Sequence, residues 1–316
     1  MNGIKIKGTG LCVPAHTVSN ADMTKRVETD EEWILSRTGI QTRHHLAPGE
    51  SITDLTITAA ARALECAGVK PDEIGACIVA TVTPDTQVPS AACRVQKALG
   101  LPVDIPCFDL NAACSGFLFA LHTIECLLHA SPRKYGLVLG AEHLSRVIDW
   151  TDRSTCILFG DGAAGAVVES REGWPSIGAE LGCSGNAEIL RLPGVESGQR
   201  SFVAMTGSEV FKFAVQAVPY CMDRVLKKTG CAVEDVDFFV FHQANARIID
   251  LVVKKYQIPQ EKYYKNIQEY GNTSAASIPL VLAELQANGR LHSGSRVLTV
   301  GFGGGLTWGG ALVEFA

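Results

Sequence analysis

Nothing in this sequence is long and apolar enough to cross a bilayer: no stretch approaches the roughly 20 uninterrupted apolar residues that a membrane helix needs. Charge is also scarce. Only 19% of residues are charged, the net charge is −5, and there is no long basic run, which argues against a nucleic-acid partner. The eleven cysteines contain no CxxC pair, so no zinc framework is expected, and no other metal site is indicated. The opening MNGIKIKGTGLCVP lacks the apolar core of a secretory leader, and free cysteines then fit a reducing, cytoplasmic setting. Disorder is excluded as well, because 47% of the chain is hydrophobic. A length of 316 residues suits two domains or one large duplicated unit.

What is present centres on residues 105–128, IPCFDLNAACSGFLFALHTIECLL. The apolar run ending near Leu110 reads as a buried strand, and small residues from Asn111 to Gly116 form a turn. From Phe117 to Leu128 only His122, Thr123 and Glu125 interrupt an apolar helix, and a helix apolar on nearly all sides belongs inside a protein. Cys114 thus sits on a strand-to-helix turn. There the helix dipole and free amide N–H groups are expected to favour a thiolate and to hold a developing oxyanion. Most cysteines in such a chain are buried structural residues. The setting of Cys114 points instead to a nucleophile, provided a partner group lies elsewhere in the chain.

In chain order, residues 3–13 read as a strand. Helical segments follow within 20–40, capped at Asn20 and at Thr29 or Asp30. Trp33, Arg37 and Arg43 form an aromatic and cationic cluster near the surface, which suits ordinary helix packing and equally suits a nucleotide base with its phosphates. A helix over 53–68, a strand over 74–82, a helix over 89–99 and a strand over 134–140 come next. The chain then begins again: FGDGAAGAVVE at 159–169 resembles FGGGLTWGGALVE at 302–314, and PDEIGACIVA at 71–80 parallels VEDVDFFVFH at 233–242. Repeats of this length indicate two copies of one α/β unit, residues 1–172 and 173–316. The continuous apolar strands predict largely parallel sheets covered on both faces.

Two polar clusters stand out in the second half. His242 ends the apolar strand 238–241, where α/β folds place active residues, and Gln243 and Asn245 follow before a helix. Asn272 lies in the polar turn 270–274, a position that a simple turn residue also fills. The glycine run 301–305 is followed by a strand pattern rather than a helix, which argues against a dinucleotide fingerprint. Its bare backbone lets an amide approach a substrate closely.

Cys114 in NAACSGF, His242 in HQANARI, Asn272 in GNTSAAS and the closing FGGGLTWG together resemble the β-ketoacyl-acyl carrier protein synthase III family. The likeness runs from EEWILSRTGI at 31–40 to the last strand. It implies a thiolase-like fold, two duplicated α/β halves in a layered αβαβα architecture. It also implies an acyltransferase that joins a short acyl-CoA primer to malonyl-acyl carrier protein with loss of CO2, through an acyl group on Cys114. His242 and Asn272 would steady the enolate oxygen as neutral donors, and the amides of Cys114 and Gly304 would hold the other oxyanion.

The same resemblance assigns CoA contacts to Trp33 and Arg153 around the adenine, to Arg37 at the phosphates, and to Gly207, Phe211 and Asn245 along the pantetheine. Acyl carrier protein would dock on Gln243, Ala244, Asn245, Ala246, Arg247, Lys254 and Lys255. Val88, Leu144 and Phe159 would line the primer pocket, Val88 reaching into the partner of a homodimer. Relatives restricted to acetyl primers carry Phe at the Val88 position, so branched or longer primers are expected here. No cofactor is implied beyond the thioester substrates. Two rivals stand beside this reading: a thiolase-fold enzyme of secondary metabolism, and a hydrolase using Cys, His and Asn. The apolar setting of Cys114 disfavours the hydrolase, which must admit water.

Overall fold

The computed structural model describes residues 2–194 and 201–316. Five strands form a first sheet in the spatial order Gly3–Cys12, Gly162–Arg171, Tyr135–Glu142, Ile74–Ala80, Cys107–Leu110. Four form a second sheet in the order Phe238–Phe241, Arg296–Gly303, Gly305–Glu314, Glu180–Asn186. Every residue of Ile74–Ala80 is buried, as expected of a strand covered on both faces. Its alternate side chains serve two different cores. Ala76, Ile78 and Ala80 face the middle of the molecule, while Cys77 and Val79 face Ala59, Ala63, Ala92 and Val95 of the outer helices Ile52–Ala67 and Ala91–Leu99.

The middle layer consists of two helices, Gly116–His129 and Ser277–Ala287. Phe117, Leu121 and Ile124 of one, with Ile278, Val281 and Leu285 of the other, pack in one core against Ile78 and Val138 of the first sheet and Val240 and Val297 of the second. On the far side of the second sheet, Phe239 and Leu298 meet the helices Gly207–Thr229 and Ala246–Lys255. The layers therefore run αβαβα. Both central helices are entered through a short 3-10 turn, Ala113–Ser115 and Ser274–Ala276, whose first residue is left-handed without being glycine (φ 47° at Ala113 and 48° at Ser274).

Three expectations need correction. The sheets are mixed rather than largely parallel: Ile74–Ala80 pairs in parallel with both its neighbours, but Gly162–Arg171 runs antiparallel to both of its own. In the second sheet, Gly304 alone separates Arg296–Gly303 from Gly305–Glu314, and so short a link permits only a hairpin. Ser19, not Asn20, caps the helix Asn20–Thr24, its hydroxyl accepting from Asp22 N–H at 3.2 Å. Asn20 is turned inward to accept from Arg43 at 2.9 Å. That Arg43 is fully buried, also donating to the Ile157 carbonyl, so it leaves the surface cluster in which its charge had placed it.

Leu121 has no exposed surface, and no outer layer can collapse into the space it fills. Leu121→Ala is expected to cost about 2–5 kcal/mol in urea unfolding; a loss well below that range would contradict its place between the sheets.

Candidate active site

Cys114 lies in the turn Ala113–Ser115 and is 9% exposed. The glycine hairpin lies directly against it. A Cβ at Gly303 would come within 2.7 Å of the Cys114 nitrogen and 2.9 Å of its Cβ, so no larger residue fits at that approach. Beside it, the Ser115 hydroxyl donates to the Ala112 carbonyl (2.8 Å) and stands 2.7 Å from Thr307 Oγ1, which ties the turn to the last strand. Burial pushes the Cys114 thiol up to about 12, helped by the charge of nearby Glu142 and opposed by a hydrogen bond with Ser274. The expectation of a resting thiolate is therefore reversed. In so closed a site the cost of desolvating the sulfur anion outweighs the helix terminus.

His242 follows the strand Phe238–Phe241 and is anchored by its N–H on the Val300 carbonyl at 2.8 Å. Its ring is 2% exposed, with the Phe302 ring edge-on at 5.3 Å. Nδ1 lies 2.6 Å from Ser277 Oγ. The Gln243 N–H points to that same oxygen at 3.4 Å; the arrangement suits a Ser277 hydroxyl that donates to Nδ1, with Nε2 as the protonated, donating nitrogen. Burial lowers the imidazole to about 3, so it is neutral at physiological pH.

Asn272 is 7% exposed and is held on both sides by backbone: its N–H donates to Leu158 (2.8 Å) and its carbonyl accepts from Gly160 (3.0 Å). The side-chain Oδ1 accepts from Ser274 N–H at 2.9 Å, so Nδ2 is the end left to donate. The turn 274–277 thus touches all three candidates: Ser274 meets Cys114 and Asn272, and Ser277 meets His242. A second neutral donor and a buried thiol under a glycine loop suit the handling of oxyanions. Sequence reasoning missed the two serines and Glu142. The available signal was a lone Glu closing the apolar strand Tyr135–Glu142.

Leu144 and Phe159 lie in one buried apolar cluster with Leu190 and Val82, and Phe159 is bridged to the Asn272 backbone. Val88 is not among them. It is 87% exposed, just before the helix Ala91–Leu99.

A second group lies at the surface. The Arg153 guanidinium stacks over the Trp33 ring at 4.8 Å, too close to admit a base between them, so an adenine would have to displace Arg153. Asn245 links two elements: Oδ1 caps the helix Ala246–Lys255 through Arg247 N–H (2.9 Å), and Nδ2 donates to the Arg37 carbonyl (2.9 Å). The approach depends on Gly39, where a Cβ would stand 2.4 Å from that of Ala246. Arg247 lies over Phe211 at 5.5 Å, near Gly207 at the start of the same helix as Phe211. Arg247, Lys254 and Lys255 are exposed, and Ala244 and Ala246 are half-buried. Gln243 does not belong with them: it is 1% exposed, donates to the Phe241 carbonyl and accepts from Asn266 N–H, so no docking protein reaches it.

Among the described residues, no group of three or more His, Cys, Asp or Glu is arranged to hold a metal ion, and no helix is long and apolar enough to cross a membrane.

Two family models match the chain: 3-oxoacyl-[acyl-carrier-protein] synthase III over residues 108–185, and the C-terminal part of the same enzyme over residues 226–315. The chain is 44% identical to the beta-ketoacyl-[acyl-carrier-protein] synthase III of Clostridium acetobutylicum, covering 100% of this chain and 99% of the relative. It is also 44% identical to that of Neisseria meningitidis serogroup B, covering both chains fully. Among solved structures, 3-oxoacyl-[acyl-carrier-protein] synthase III from Aquifex aeolicus VF5 superposes with a TM-score of 0.91 at 42% identity, covering 99% of this chain and 100% of that one. The priming β-ketosynthase of the R1128 polyketide pathway superposes with a TM-score of 0.93 at 35% identity, covering 99% and 96%.

The state of His242 has a consequence for stability. Unfolded, the imidazole protonates below about pH 6.5; folded, it stays neutral down to about 3. Its contribution is therefore complete above the unfolded value and is lost as pH falls towards the folded one. Relative to His242→Gln, the wild type should lose roughly 2 kcal/mol between pH 6.5 and pH 5. Urea unfolding at the two pH values measures this, and a constant difference would mean that the folded imidazole charges.

Proposed function

The chain belongs to the β-ketoacyl-acyl carrier protein synthase III family, and on that premise we propose that Cys114, His242 and Asn272 carry the family's reaction here. That reaction is an acyl transfer that starts fatty acid synthesis, condensing an acyl-CoA primer with malonyl-acyl carrier protein. Cys114 takes the acyl group and CoA leaves. Malonyl-acyl carrier protein then enters and loses CO2. The enolate oxygen so formed is held by His242 Nε2–H and Asn272 Nδ2–H, and its carbon attacks the Cys114 thioester. The oxygen of that thioester rests on the amides of Cys114 and Gly304. Both acyl groups arrive activated as thioesters, so the chemistry calls for no further cofactor.

One observation supports this reading above the others: a single turn, 274–277, sets a buried thiol beside two neutral donors. Neutral donors suit a decarboxylation, because a carboxylate in either place would repel the enolate and a charged imidazole would be quenched by it. The enclosure of Cys114 also favours condensation over hydrolysis. CoA would enter past Trp33 and Arg153, along Arg37, Gly207, Phe211 and Asn245. The exposed Arg247, Lys254 and Lys255, flanked by Ala244 and Ala246, offer a basic face to an acidic carrier protein on a chain of net charge −5. We take residues 1–172 and 173–316 as duplicated halves, each supplying one sheet, of a cytoplasmic homodimer in which Val88 enters the partner's primer pocket.

The small, exposed Val88 favours a primer broader than acetyl, with the same chemistry.

Intact-mass measurement with acetyl-, isobutyryl- and octanoyl-CoA, followed by malonyl-acyl carrier protein, tests the assignments. An acyl adduct is expected on the wild type and absent from Cys114→Ala. His242→Ala and Asn272→Ala should still load but condense about 10²–10⁴-fold more slowly. Isobutyryl-CoA should load within about tenfold of acetyl-CoA, one or two methyl groups being worth little in an apolar pocket. Strict acetyl use would refute the role given to Val88, and an adduct that only hydrolyses would favour the hydrolase.

A further inference from the structure

Glu142 has no role in the scheme above, yet it is the most costly side chain near the nucleophile. It closes the strand Tyr135–Glu142 in the first sheet and has no exposed surface. Among the described residues no Lys, Arg or His forms an ion pair with it; its partners are the Val82 N–H (3.1 Å), the Thr83 hydroxyl (2.5 Å), the Ser274 hydroxyl (3.0 Å) and the Ala275 N–H. Burying a carboxylate without a cation is expensive, and four hydrogen bonds hold it in one orientation. The Thr83 oxygen also accepts from the His143 N–H at 2.8 Å, whereas the Ser274 hydroxyl lies towards the Cys114 sulfur. The chain is thus thiol, hydroxyl, carboxylate, with no exposed surface at Glu142 and 9% at Cys114.

That arrangement answers a difficulty left by the resting state. Cys114 is a protonated thiol, so loading an acyl group on it requires somewhere for the proton to go. His242 is bonded through Nδ1 to Ser277, and its donating Nε2 has no lone pair to offer. A thiolate and an ionised Glu142 on either side of one hydroxyl would repel strongly in so dry a space. The two groups therefore share a single negative charge, and one gains a proton as the other loses it. Burial raises Glu142 to about 7, which leaves it able both to accept and to release a proton at neutral pH.

We propose that Glu142, acting through Ser274, receives the Cys114 proton during loading, keeps it through the acyl-enzyme stage and returns it when condensation frees the sulfur. The idea rests on the reading of Cys114 as the acylated residue. In loading, the S–H bond breaks towards Ser274 Oγ while the Ser274 O–H proton passes to Glu142 Oε1. The sulfur bonds to the primer carbonyl, and the bond to CoA breaks with its electron pair on the CoA sulfur, which takes a proton from water on release. In condensation, CO2 leaves, the new C–C bond forms and the Cys114 thioester bond breaks with its pair on sulfur. The proton then returns from Glu142 through Ser274, so both groups end as they began.

Glu142 touches neither acyl group, so the test must separate its action from simple support of the fold. Rapid-quench intact-mass measurement gives the loading rate with acetyl- or isobutyryl-CoA. Protein fully loaded by long incubation then gives the condensation rate with malonyl-acyl carrier protein. Glu142→Gln and Ser274→Ala are each expected to load about 10²-fold more slowly; condensation by preloaded protein should slow by a smaller factor, because the sulfur leaves with its electron pair before its proton returns. Glu142→Asp, which keeps a carboxylate, should recover much of the loading rate. Ser274→Ala preserves the backbone N–H on Asn272, so it tests the relay even if Glu142→Gln does not fold. Faster loading in Glu142→Gln would overturn the proposal, because a fixed charge that only hinders the thiolate would give that result. Unchanged loading, or equal slowing of both half-reactions, would overturn it too. A wild type that forms no adduct on Cys114 would instead remove the underlying assignment of the nucleophile.

Discussion

Ser274 and Ser277 sit in one buried turn, and between them they bond to Asn272, His242, Glu142 and Cys114. Asn272 lies two residues upstream, but the other three come from separate places in the chain, at the ends of strands in both sheets and at the mouth of the other central helix. A turn with that many partners has little freedom, and Ser274 accepts a left-handed backbone to meet them. The layers on either side serve the same end. Two sheets and two outer helix layers keep water from the middle, and each hydrogen bond made there is stronger for it.

Enclosure decides the chemistry more than any single residue does. It holds the imidazole far below its usual range, which makes it a poor base and suits the donor role proposed for it. It also keeps the thiol protonated at rest, which protects the sulfur from reactions other than the intended one.

Much of this was legible in the residues. An apolar run, a turn of small residues and a helix apolar all round announced Cys114 and the middle layer, because complete burial leaves a compositional trace. Strand direction was not legible: Ile74–Ala80 and Gly305–Glu314 are both rich in buried residues, yet only the one-residue link at Gly304 dictates an antiparallel turn. Arg43 and Gln243 misled because polar side chains are usually outside, whereas here each finds partners that no local pattern encodes. The protonation of Cys114 was misjudged for the same kind of reason, since a helix terminus is visible in sequence and the dielectric around it is not.

The pairing of the Cys114 turn with the last hairpin also sets a schedule. Ser115 and Thr307, which tie the two together, are 192 positions apart, so a ribosome extending the chain needs roughly 10–40 s to pass from one to the other. Throughout that interval the Cys114 turn lacks the glycine backbone that presses on it. The hairpin that closes over the turn is made long after the turn itself, so the two can meet only once that intervening stretch has been synthesised.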